Sequence, residues 1–294
     1  MLRSFINFLN YEKRYSVHTV SSYTNDIGQF FHFTLSRFEL EDPALITHYH
    51  IRSWVVEMME GGISPRSVNR KLSALKTYYG FLKKQGTVNH NPTTKVVSPK
   101  VESRLPNYVQ EKELETLFED LVFPENFQGV RDRTILELFY LTGMRRAELI
   151  GLDDLSIDFE RKIVKVIGKG KKERLIPLSA KFCNQIKAYV EKRNEAFKKD
   201  HFPSLFVTGK GNKMYPKFVY NIVKSYLSLV STIEKRSPHI LRHSFATHLS
   251  NKGAKLNIIK ELLGHSNLSA TQIYTHNSIE QLKKVYTNAH PKGK

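Results

Sequence analysis

Pro238-His239-Ile240-Leu241-Arg242-His243-Ser244-Phe245-Ala246-Thr247-His248 packs three histidines and an arginine into eleven residues. Proline at the first position of the run suits a helix start. On that helix His239, Arg242 and His243 lie close to one face. Ile240, Leu241, Phe245 and Leu249 bury the other. Imidazole and guanidinium side by side suit a phosphoryl group in transfer, since one moves protons and the other holds negative charge. His239 and His243 also have the helical spacing of metal ligands, but no matching acidic or cysteine ligand stands out. The expectation is therefore no metal.

Downstream, Leu263-Gly264-His265 is a turn that leaves His265 projecting. Thr271-Gln272-Ile273-Tyr274-Thr275-His276 follows, and a phenol beside cations ionises more easily and can act as a nucleophile. Upstream, Ile163 to Ile167 and Leu175 to Leu178 are apolar runs around Gly168-Lys169-Gly170-Lys171-Lys172, the pattern of a β-hairpin with a glycine- and lysine-rich tip. Lys169 on such a tip can deliver a proton or a charge. The tip is not a Walker A loop, because Gly-x-x-x-x-Gly-Lys-Ser/Thr is absent. Further upstream, Thr142-Gly143-Met144-Arg145-Arg146-Ala147-Glu148-Leu149 puts two arginines just past a helix-ending glycine, where a guanidinium can fork onto a phosphate. Glu148 shares a helix face with Arg145 and can orient it. Leu205 to Thr208 reads as a short strand, and Pro216 to Ser231, Pro238 to Asn251 and Ser278 to Tyr286 read as helices.

The first ninety residues read as helices only. Leu2, Phe5, Ile6 and Leu9 have helical spacing; Ser16 and Thr47 cap the next two helices; Gly61-Gly62 ends the third; Ser64-Pro65 opens a fourth that Gly86 closes. Its Arg66, Asn69, Arg70 and Lys71 are candidates for groove or phosphate contact. A polar, proline-containing stretch, residues 91–106, reads as an exposed linker. Two domains are also what 294 residues predict.

The chain carries a formal net charge of +18, which points to a polyanionic partner, nucleic acid first. A hydrophobic content of 40% excludes a disordered tail protein. One cysteine, Cys183, excludes an internal disulfide and a multi-cysteine zinc site, and fits a reducing cytosol. The N-terminus has no signal-peptide pattern, and no apolar run is long enough to span a bilayer. A cytoplasmic protein with no membrane association is expected.

Each of these pieces alone has an ordinary structural explanation. Together and in this order they resemble the catalytic domain of the tyrosine recombinase (phage integrase) family, over roughly residues 107 to 290. Arg145 sits in a Thr-Gly-x-Arg-x-x-Glu motif, Lys169 matches the hairpin lysine, His239 and Arg242 the His-x-x-Arg motif, His265 the Leu-Gly-His motif and Tyr274 the nucleophile segment. Arg146 departs from the family, many of whose members have a small or apolar residue there. The helical unit before them resembles the family's SAM-like core-binding domain, and the compact two-domain plan looks most like the Xer subgroup. The resemblance implies a fold that is mainly α with a small β-hairpin or sheet: an all-α SAM-like domain over 1–90, a linker over 91–106, and an α+β catalytic domain over 107–294 ending in a docking helix. It implies six catalytic residues, Arg145, Lys169, His239, Arg242, His265 and Tyr274, supported by Glu148, and no cofactor. The partners implied are a double-stranded DNA recombination site, further recombinase protomers in a homo- or heterotetramer, and an activating DNA translocase. The implied role is chromosome dimer resolution, with a mobile-element integrase or DNA invertase as the alternative. A type IB topoisomerase or a catalytically silent DNA-binding protein is more remote.

Overall fold

The computed structural model describes residues 1–101, 107–168, 172–264 and 290, and divides the chain into two units, Met1–Arg104 and Leu105–Lys294. In the first unit helices begin where the sequence supplies caps. The short α1 (Leu2–Asn7) runs into a wider π turn, Phe8–Glu12. α2 (Val17–Phe38) starts at Ser16, whose hydroxyl accepts from the Thr19 amide. α3 (His48–Glu60) starts with a reciprocal cap between Thr47 and His50. α4 (Pro65–Lys84) starts at Ser64 with proline at its first position. Their apolar stripes meet in an aromatic-rich core containing Phe5, Phe30, Trp54, Leu75 and Tyr79, where Phe30 and Trp54 meet edge to face at 5.1 Å.

The expected linker is partly built into this unit. Residues Pro92–Lys95 form a 3₁₀ turn against α3 and α4, with Pro92 and Thr93 buried, and Asn69 donates to the Pro99 carbonyl at 3.0 Å. Asn91 makes this possible, because its side-chain oxygen takes the Thr93 amide that would otherwise need water.

In the second unit α5 (Glu111–Glu115) and a π turn (Thr116–Asp120) precede α6 (Phe127–Thr142). Ile135, Leu136, Leu138, Phe139 and Leu141 of α6 are all buried, so the second half of this helix is enclosed on every side and forms the centre of the unit. The short α7 (Arg146–Ile150) leads to three antiparallel strands in the order β1 (Ile157–Asp158), β2 (Ile163–Ile167), β3 (Glu173–Pro177). The β2–β3 hairpin is the one the sequence predicts, and the two-residue β1 adds an edge that it does not. α8 (Ala180–Phe197), α9 (Pro216–Val230), α10 (Pro238–Asn251) and α11 (Leu256–Leu263) follow, with α8 and α10 packed on α6.

The expected strand over Leu205 to Thr208 is instead an isolated bridge between Val207 and Lys213 around a tight turn. The Leu205 amide is spent on the Leu152 carbonyl, and the buried Arg193 guanidinium takes the Leu205 carbonyl while pairing with Asp154. The expected helix over Ser278 to Tyr286 lies outside the described residues. Among the described residues no helix is long and apolar enough to cross a membrane.

Candidate active site

α6 ends at Thr142 because Gly143 takes a left-handed conformation, φ +58°, that a side chain would disfavour. A Cβ there would also lie 2.5 Å from Phe245 Cδ1 and 2.9 Å from Leu263 Cδ2. The chain turns at once, and Arg145 becomes the N-cap of α7. Glu148, three residues on, is almost fully buried and closes the turn: one carboxylate oxygen accepts from the Arg145 amide at 2.6 Å, the other from the Arg145 guanidinium at 2.9 Å. Arg145 keeps about two-fifths of its side chain exposed. A held but accessible guanidinium is what binding a phosphate oxygen requires.

A third group completes the cluster, and the sequence reading misses it. Arg174 on β3 is 5% exposed and forks onto both oxygens of Glu148, at 3.0 and 2.8 Å. Its Nε donates to the Leu262 carbonyl at 2.9 Å. The signal was there: on β3 Arg174 alternates with Glu173 and faces inward with Ile176, and an arginine on the apolar face of a strand has to be paired. Burial alone would push the Glu148 carboxyl up. The hydrogen bonds and charge of Arg174, then the hydrogen bonds from Arg145, outweigh burial and bring it down to about 2.

α10 brings Arg242 and His239 to the same place. Arg242 donates to the carbonyls of Gly143 at 2.5 Å and Leu263 at 2.6 Å, so two of its five N–H groups fix it in place. Burial, then the charges of Arg145 and Arg174, lower its pKa to about 10, which leaves it fully charged at neutral pH. His239 stands one turn earlier and is exposed. Desolvation, followed by the charges of Arg146, Arg242 and Arg145, lowers its pKa and favours the neutral, proton-accepting imidazole. His248 belongs to the core: its Nδ1 pairs with the Tyr140 hydroxyl at 3.0 Å, joining α10 to α6.

Arg145, Glu148, Arg242 and His239 therefore come together. Lys169, His265 and Tyr274 lie outside the described residues. The described residues that precede the first two, Gly168 and Gly264, lie against this cluster. Gly168, just before Lys169, has Glu148 Oε1 3.5 Å from where its Cβ would be. Gly264, just before His265, has its carbonyl 3.5 Å from Arg145 Nη2. Among the described residues no three potential metal ligands cluster.

The candidate DNA contacts on α4 divide. Arg66 is exposed and Arg70 is half exposed, paired with the buried Asp26. Asn69 spends its amide on Pro99. Lys71 does not reach outward: it is 7% exposed, its ammonium lies 3.1 Å from Asp26 and also contacts Gln29, and it sits over the Trp54 ring. Lys71 lies on the inner side of α4, where its charge balances Asp26.

Comparison with known proteins matches residues 107–281 to the phage integrase family and residues 2–86 to the phage integrase N-terminal SAM-like domain. The tyrosine recombinase XerC of Staphylococcus haemolyticus is 39% identical, over 99% of this chain and 97% of that protein. The XerC protein of Bacillus subtilis is 37% identical, over 99% and 96%. Among solved structures, the XerH site-specific recombinase bound to palindromic difH substrate in a post-cleavage complex superposes with a TM-score of 0.71 at 22% identity, covering 99% of this chain and 81% of that one. The Tn1549 transposon integrase in complex with transposon right end DNA gives 0.71 at 18%, covering 96% and 98%. These two likenesses bear on the fold alone.

Proposed function

The chain belongs to the phage integrase family, and from that premise we propose that it is a site-specific tyrosine recombinase of the Xer type, cutting and rejoining DNA at Tyr274. The observation that carries this reading is the convergence of Arg145 and Arg242 on the Gly143 turn, with Glu148 and His239 beside them.

A phosphodiester resists attack because its oxygens repel a nucleophile. Arg145 and Arg242 hold the non-bridging oxygens and stabilise the charge that develops. The Tyr274 oxygen attacks phosphorus and forms a 3′-phosphotyrosyl ester. His239 takes the phenol proton, Lys169 protonates the departing 5′-oxygen, and His265 helps to hold the phosphate. The ester retains the bond energy, so a 5′-hydroxyl from a second strand can reverse the step without ATP. The arginines supply the charge clamp, and the mechanism draws on no metal. Arg66 and Arg70 of the N-terminal unit contact the duplex.

Exchange of strands between two sites takes four protomers, of one or two kinds, with the C-terminal segment docking on a neighbour and a DNA translocase as activator. The work is done in the cytoplasm, on chromosome dimers. The high identity to XerC proteins along the whole chain supports this role over a mobile-element integrase or an invertase.

The test uses duplexes nicked near the cleavage point, one from the host's chromosome-dimer resolution region and others from element ends. A covalent adduct on the first, absent with Tyr274→Phe, is the expected result. An adduct only on element ends moves the role to an integrase. Tight binding with no adduct on any site leaves a DNA-binding protein.

A further inference from the structure

Arg174 has no part in the chemistry just described, yet its hydrogen bonds tie Glu148 of the Arg145 turn to the Leu262 carbonyl. It is one of the few buried charged groups of the second unit, and nothing about a hairpin requires an arginine there. Its fork occupies both oxygens of Glu148. Its Nε holds the carbonyl of Leu262, two residues before Gly264. Gly264 adopts φ +66°, and a Cβ on it would crowd Arg174 Cδ and Nη1 at 3.1 Å. Gly168, at the base of the hairpin tip, also lies beside Arg174 Nη1. One side chain thus touches the turn that carries Arg145, the hairpin that leads into Lys169 and the turn that leads into His265.

The electrostatics give this contact a purpose. Glu148 carries one negative charge and Arg145 one positive. Were they alone, each would neutralise the other, and Arg145 would offer a phosphate little net attraction. With Arg174 on the same carboxylate, three guanidiniums stand against one carboxylate, and the cluster keeps a net charge of +2. Attack of a phenolate on a phosphodiester makes a doubly negative transition state, so that surplus matches the charge to be stabilised.

We infer that Arg174 is a positioning residue of the recombinase: by neutralising Glu148 from the buried side, it frees Arg145 and Arg242 to act on the phosphate with their full charge. The inference rests on the recombinase reading above.

The experiment compares wild type with Arg174→Gln, Arg174→Lys and the double variant Glu148→Gln/Arg174→Gln. It measures the single-turnover rate of adduct formation on saturating nicked DNA and, separately, the affinity for that DNA. Arg174→Gln should lose about 100-fold in rate, the scale of removing one preorganised charge donor, with affinity changed less than about threefold. The double variant restores the net +2 and should regain at least tenfold over Arg174→Gln. Arg174→Lys keeps the charge and should stay within about tenfold of wild type; this variant decides the matter if Arg174→Gln does not fold.

A purely architectural arginine gives the opposite pattern, with the double variant no faster than the single one and lysine losing more than tenfold. That result overturns the inference, as does an Arg174→Gln rate within threefold of wild type. Wild-type protein that forms no adduct on any site would instead sink the recombinase reading itself, so the two failures are told apart.

Discussion

Replacing Glu148 with glutamine changes one oxygen to an amide and leaves two guanidiniums facing it. In the folded chain the Glu148 carboxyl titrates near 2, against an ordinary 4.5. That gap corresponds to roughly 3 kcal/mol of folding stability at neutral pH. Removing one partner of a buried ion pair costs about 3–5 kcal/mol by comparison, so the two routes agree in scale. For a unit of this size Glu148→Gln should lower the melting temperature by about 6–12 °C.

The pH dependence has a defined sign. The folded value lies below the ordinary one, so the contribution of Glu148 is complete above about pH 4.5 and is lost as the pH falls towards 2. Urea unfolding of wild type and Glu148→Gln, run from pH 7 downward, should show the gap between them about a quarter smaller by pH 4 and closing further below it. A gap under about 1 kcal/mol at pH 7, or one that stays constant down to pH 3, would refute the placement of Glu148 between Arg145 and Arg174.

Gly143→Ala should destabilise by about 2–4 kcal/mol, from the left-handed backbone and the clash with Phe245, whereas Gly80→Ala, in mid-helix with open space around it, should stabilise by up to about 1 kcal/mol in the same unfolding assay. The depressed His239 value predicts that cleavage on its acid side declines only below the ordinary imidazole range, and that Arg146→Gln moves this limb upward; an unmoved limb would remove His239 as the titrating group. Arg66→Gln should reduce the slope of log DNA affinity against log salt by about one, while Lys71→Met should leave the slope alone and weaken folding instead; the reverse would put Lys71 on the DNA.

Much of this was legible because the signals were local. Ser16, Thr47 and Ser64-Pro65 open their helices as capping chemistry dictates, and α10 spans the residues its pattern marks. The β2–β3 hairpin follows from two apolar runs around a glycine-rich tip. What was missed depends on partners far along the chain. Arg174 meets Glu148 across 26 residues, and Lys71 meets Asp26 across 45, so no window of sequence contains both members of either pair. Lys71 looked like part of a basic helix face because its neighbours Arg66 and Arg70 are. The difference is one helical step, which turns it inward onto Trp54. The strand expected at Leu205 had the right composition, but Arg193 and Leu152 had already taken the hydrogen-bonding groups a strand needs.

The most direct test is to trap the covalent complex on nicked recombination-site DNA with chelator present, digest it, and locate the nucleotide-bearing peptide by mass spectrometry. The modification should fall on the peptide containing Tyr274, joined to a 3′-phosphate, with a free 5′-hydroxyl on the released strand. An adduct at another residue, a 5′-phosphate linkage, or an adduct that persists in Tyr274→Phe would contradict it.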